Sequence, residues 1–141
     1  MKYVLVGYYG FGNCGDSASL YKVKKLILSL DHNAQFKVFY PKKSSCKTFI
    51  NRWSFFDIIK SFLWSDKIVF GGGSILQNTT SSLSLYYYLI LILLGKLCKK
   101  KVVLLGQGIG PVAGTIDYAL MSFCLKFVDK LSARDNYSFT I

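Results

Sequence analysis

The chain has 141 residues, 18 of them basic and 7 acidic, for a formal net charge of +11. That length suits one domain able to bury roughly two-thirds of its unfolded surface, and an apolar fraction of 52% excludes wholesale disorder. Four scattered cysteines (Cys14, Cys46, Cys98 and Cys124) with a single histidine, His32, leave a zinc site without support. Reduced thiols, mostly in or near the core, are expected.

Lys2–Tyr8 is a nearly continuous apolar run bounded by glycine, as a fully buried parallel strand should be. Its apolar part is too short for a secretory signal, and a glycine-rich turn follows where a cleavage region would stand. A helix is predicted from about Asp16 to Leu30, with Leu20, Val23, Ile27 and Leu30 on one face. Phe36–Tyr40 makes a second strand, stopped by Pro41, and Lys42–Lys47 reads as loop. A helix around Trp53–Trp64 would place Trp53, Phe56, Ile59 and Leu63 on a common stripe facing the core. Lys67–Phe70 is a third strand, and Ser81–Leu97 an apolar helix. The run Leu83–Leu94 spans 12 residues, whereas a bilayer-crossing helix needs about 17–25. Lys101–Leu105 gives a fourth strand, Thr115–Asp129 another helix and Leu131–Ala133 a fifth strand. Crossovers of this length favour parallel pairing. The expected fold class is therefore α/β, a three-layer α/β/α Rossmann-like parallel sheet.

Polar turns follow the apolar runs: Gly10-Phe11-Gly12-Asn13-Cys14-Gly15-Asp16, Gly71-Gly72-Gly73-Ser74, Gly106-Gln107-Gly108-Ile109-Gly110-Pro111 and Ser132-Ala133-Arg134-Asp135. Ligands of open α/β sheets bind at the carboxyl ends of the strands, so these turns predict one composite site for a polar or anionic ligand. Gly12, Asn13 and Gly15 precede a helix whose unpaired N–H groups favour an anion. Asp16 either caps that helix or accepts a proton or hydrogen bond from a substrate hydroxyl. Gly72, Gly73 and Ser74, with Gln77 beyond them, allow close approach of a ligand. Gln107 and Gly108 offer an amide able to donate and accept together. Arg134 suits a carboxylate or phosphate, unless Asp135 pairs with it. Gly10-x-Gly12-x-x-Gly15 matches a dinucleotide fingerprint, yet the second strand closes on Phe39-Tyr40-Pro41 without the acid that would bind a ribose. No cofactor and no metal are expected, and no nucleophilic triad can be assigned.

At these residues the chain resembles the polysaccharide pyruvyl transferase family. The matching pieces run from Gly7-Tyr8-Tyr9-Gly10 through Gly15-Asp16, then Gly71–Gln77 with Thr80-Ser81, Ser84 and Tyr87-Tyr88. They continue as Gly106–Pro111 and Ser132–Ser138. The resemblance implies a Rossmann-like domain of GT-B type, residues 1–141 being the N-terminal half of a two-domain enzyme. It further implies transfer of pyruvate from phosphoenolpyruvate to two sugar hydroxyls, giving a cyclic ketal and free phosphate. Protonation of the enol carbon would create an oxocarbenium-like centre for a sugar hydroxyl to attack. Arg134 matches the arginine expected to bind the donor. The family's histidine and lysine belong to a C-terminal half absent here. Where members carry Gly-Asp-Glu-Ala, this chain has Gly15-Asp16-Ser17-Ala18, which leaves Asp16 as the one candidate for acid–base work in that turn.

The expected partners are phosphoenolpyruvate and a glycan, lipid-linked or nucleotide-linked sugar acceptor, in a cytoplasmic setting. The clusters Lys22–Lys25, Lys42-Lys43 and Lys99–Lys101 are either a solvated surface or a means of attracting phosphate-bearing ligands or an anionic membrane. No nucleic-acid motif accompanies them. The alternatives are a non-catalytic nucleotide-sugar or anion-binding module and a nonfunctional truncation.

Overall fold

The computed structural model describes residues 1–41, 46–79 and 81–134. In chain order the elements are β1 (Lys2–Val6), α1 (Cys14–Leu30), β2 (Gln35–Tyr40), β3 (Phe49–Asn51), α2 (Phe55–Trp64), β4 (Lys67–Leu76), α3 (Ser82–Leu97), β5 (Lys101–Ile109), α4 (Thr115–Leu125) and β6 (Lys130–Ala133). All six strands pair in parallel, in the order β3-β2-β1-β4-β5-β6. Successive side chains of β1 bury against opposite faces, Tyr3 and Leu5 on one and Val4 and Val6 on the other. Double-sided burial is why the strand reads as a continuous apolar run.

α1 leads from β1 toward β2, whereas α2, α3 and α4 lead the opposite way along the sheet. Crossovers of one hand must then place α1 on one face and the other three helices on the other. Val23 and Ile27 of α1 pack with Leu5, Val38 and Val69, while Ile58, Phe62, Leu85, Ile92 and Met121 share the second core with Val4, Phe39 and Leu104. The three-layer Rossmann-like architecture follows. Three helices begin at side-chain caps: Asn13 Oδ1 accepts from Gly15 N at 2.9 Å, Ser54 Oγ from Asp57 N at 3.3 Å and Ser81 Oγ from Leu83 N at 3.2 Å.

Several expectations need correction. β4 and β5 do not stop at Phe70 and Leu105 but run on through their glycines to Leu76 and Ile109, the register shifting between Gly73 and Leu76. Glycine at positive φ here makes an irregularity inside a ladder, not a turn after it. A sixth strand, β3, pairs Phe49–Asn51 with Val38–Tyr40. β1 closes at Val6 rather than Tyr8. α4 ends at Leu125 because Lys126, Phe127 and Val128 donate to carbonyls only three residues back. α2 is rotated relative to its predicted stripe: Ile58, Ser61 and Phe62 are buried, while Trp53, Phe56 and Leu63 stand in solvent. Cys14 and Cys46 are exposed, and of the four thiols only Cys124 is fully buried. No helix among the described residues is long and apolar enough to cross a membrane.

Candidate functional site

The neighbours β1 and β4 send the chain away in opposite directions, so a crevice opens beyond their carboxyl ends. One cavity there, of about 560 Å³, lies between the first turns of α1, the end of β4 and the start of the chain beyond β6. Asn13, Gly15, Asp16, Gly72, Gly73, Ser74 and Arg134 line it, together with Ser19 and Lys22. A second cavity of about 530 Å³ is walled by Tyr8, Gln77, Ser81, Ser84 and Tyr88. Asn13, Asp16 and Ser74 border both. Both volumes suit a small polar ligand.

Three predicted site residues lie apart from these walls. Gly12 is exposed in the loop before α1. Gln107 is fully buried, its Nε2 donating to Phe70 O at 3.1 Å, and its Oε1 has no partner among the described residues. Gly108 sits behind the rim, where a Cβ would stand 2.5 Å from Ser74 Oγ and 3.4 Å from an Arg134 guanidinium nitrogen. Arg134 N donates to Gln107 O at 2.9 Å, which joins the end of β6 to β5. Thr80 and residues 135–141, with Asp135 among them, lie outside the described residues, as do Lys42 and Lys43.

The glycines of β4 line the larger cavity, and they also leave room for side chains of α1. A Cβ on Gly72, whose φ is +61°, would lie 2.5 Å from Ser19 Cβ, and one on Gly73 (φ +86°) would lie 3.1 Å from Asp16 Oδ1. The missing side chains let α1 settle on the sheet and carry Asp16 to the rim. Partial burial there raises the Asp16 carboxyl above its usual range. Its place in the first turn of α1 favours the ionised form, and the helix is capped by Asn13, not by Asp16.

Sequence reasoning missed Arg52. This residue follows β3 and is 3% exposed, and its guanidinium lies 5.0–5.9 Å from the ring centroids of Tyr8, Phe11, Trp53, Tyr87 and Tyr88. One Nη donates to Gly7 O at 3.3 Å and the other to Tyr88 Oη at 3.1 Å, while Nε finds no acceptor among the described residues. Neither ion pair among the described residues includes it. An arginine between Asn51 and Trp53 carries no motif, so only a surplus of aromatic residues hinted at such a cage. Burial raises the Tyr88 phenol, and the neighbouring Arg52 charge opposes that rise.

The rim is stitched on its other side by Asp117. Tyr86 Oη donates to one carboxylate oxygen, and Ser82 Oγ and Asn78 Nδ2 donate to the other at 2.8 and 2.7 Å. These bonds hold the Asp117 carboxyl below its usual range. Asn78 also clasps Ala113, accepting from its N at 2.8 Å and donating to its O at 2.6 Å. The segments after β4 and β5 are thereby tied together. Among the described residues no cluster of histidine, cysteine or carboxylate could hold a metal.

Together these features define a Rossmann-like α/β protein with a polar cleft at the point where its strand order reverses. The polysaccharide pyruvyl transferase family model matches residues 13–141, and the chain belongs to that family. It is thus a transferase of the pyruvyl transferase type. Comparison with curated proteins and with solved structures gave no match.

Proposed function

We propose that this chain forms the N-terminal half of an enzyme that transfers pyruvate from phosphoenolpyruvate to two hydroxyls of a cell-surface polysaccharide or its precursor. The observation that carries the proposal is the meeting of Asp16, Ser74 and Arg134 around one cleft in a member of this family. Arg134 supplies a cationic fork suited to the donor's carboxylate or phosphate. Asp16, ionised, accepts a hydrogen bond from a sugar hydroxyl and takes its proton as that oxygen bonds to the central carbon of the donor. The methylene carbon gains a proton, the second hydroxyl displaces phosphate with its proton passing to the departing phosphate, and the ketal closes. The acid for the first of these steps belongs, by resemblance to the family, to a C-terminal half carrying a histidine and a lysine.

Residues 1–141 alone are therefore expected to bind phosphoenolpyruvate but to release no phosphate from it in the presence of acceptor sugars. Calorimetry and a phosphate-release assay check this, and robust turnover by the chain alone would overturn the two-half reading. A non-catalytic anion- or nucleotide-sugar-binding module is the second reading, favoured by Ser17 where the family carries a glutamate. Such a module would bind a nucleotide-sugar and ignore phosphoenolpyruvate.

A further inference from the structure

Arg52 and Tyr88 form a unit that the reaction outlined above does not use. Arg52 is a buried cation with no carboxylate partner among the described residues. Five aromatic rings stabilise it through their π-faces without cancelling its charge. Its two Nη atoms donate to the Gly7 carbonyl and the Tyr88 phenol, but Nε has no acceptor among the described residues. Tyr88 is 1% exposed and accepts from Arg52, and no described group accepts the phenol's own proton. Buried tyrosine hydroxyls ordinarily find partners for both roles. Tyr88 also lines the smaller cavity, alongside Ser74, Ser84 and Gln77. A phenol that accepts from a cation is a stronger donor through its own O–H.

We propose that Tyr88 is a ligand-binding residue: its hydroxyl, fixed and polarised by Arg52, donates to a carboxylate or phosphate oxygen held in the smaller cavity. The positive charge beneath the phenol selects an anion over a neutral hydroxyl, and Ser74 and Ser84 supply further donors at the same wall. Asp16 borders this cavity as well, and a bound anion presses its carboxyl toward the neutral form. Arg52 acts through Tyr88, as a positioning residue. This inference deepens the proposed function and rests on the cleft being the substrate site, but the anion could come from the donor or from a nucleotide-linked acceptor.

Calorimetry on the full chain separates the sources, using inorganic phosphate, phosphoenolpyruvate, a uridine-diphosphate hexose and a neutral methyl hexoside. At least one of the three anions is expected to bind, and Tyr88→Phe to weaken it about tenfold or more, the scale of a hydrogen bond to a charged group. Binding of all anions unchanged in Tyr88→Phe, or of none by the native chain, overturns the inference. Phosphoenolpyruvate as the one anion that binds, equally to both chains, leaves the donor reading standing while this one falls. A nucleotide-linked sugar that binds through Tyr88, with phosphoenolpyruvate ignored, does the reverse. A readout without substitution at the pair guards against misfolding. The chain has two arginines, Arg52 and Arg134, and an Arg134→Lys sample assigns their Nε–H resonances. The Arg52 resonance is expected to move saturably as the binding anion is added, and a stationary signal overturns the proposal.

Discussion

Asp16 joins the helix cap, the glycine strand and both cavities, so its protonation has a readable effect on stability. Burial raises its folded carboxyl above the 3.8 of a free side chain. Between those two values the folded protein keeps a proton that the unfolded chain has released, so stability falls as pH rises through that window. Asp16→Asn should remove this slope, which urea midpoints measured across pH 3–7 (about the range where carboxyls titrate) will show for both proteins. A second residue-scale test concerns Gly72, where positive φ and the nearness of Ser19 act together. Gly72→Ala is expected to cost about 1–3 kcal/mol in urea denaturation, since a side chain there must accept a strained backbone and displace α1.

At the scale of elements, Asp117 clamps α4 to the start of α3 through three donors. Its folded carboxyl lies below the ordinary value, so this contribution is full above the unfolded value and is lost as pH falls through the folded one. Asp117→Asn should melt lower at neutral pH and lose part of its acid sensitivity, as melting curves at neutral and acidic pH will test. Most elements were legible from apolar runs and their caps. The missed parts share a cause, in that each depends on partners distant in sequence. Phe55–Trp64 has a polar side of Asp57, Lys60 and Ser61, yet the sheet covers a stripe that takes in Ser61 and leaves Phe56 and Leu63 exposed, so periodicity alone misplaces the buried face. β3 is three residues long and exists because Val38–Tyr40 offers it a ladder. Gly71–Gly73 reads locally as a turn, and pairing with the neighbouring β5 keeps it in the ladder. The rim residues Asn13, Asp16, Ser74 and Arg134 could be read from the turns that carry them, but the Arg52 cage gathers residues from three separate segments.

For the whole molecule, a formal charge of +11 sets a field that an anionic ligand meets before it reaches the cleft. Lys22 stands at the larger cavity, and Lys24 and Lys25 lie further along the same helix. Affinity for phosphoenolpyruvate is therefore expected to fall as salt rises from about 0.05 to 0.5 M, where the screening length shrinks from roughly 14 to 4 Å. Calorimetry over that range checks it. Affinity independent of salt would mean that buried groups at the cleft, rather than the surface field, dominate recognition.

The strand order also bears on biosynthesis. β1 occupies the centre of the sheet yet precedes every other described strand in the chain, and its partner on one side, β4, is made some 64 residues later, as the pairing of Tyr3 with Lys67 records. In the interval the nascent chain holds Val4–Val6 with one edge unzipped, a state prone to sticking to other chains. Neither cavity has its walls until Gly72–Ser74 arrives, so ligand cannot assist the early stages of folding. That central strand therefore stays paired on one edge alone until β4 has been translated.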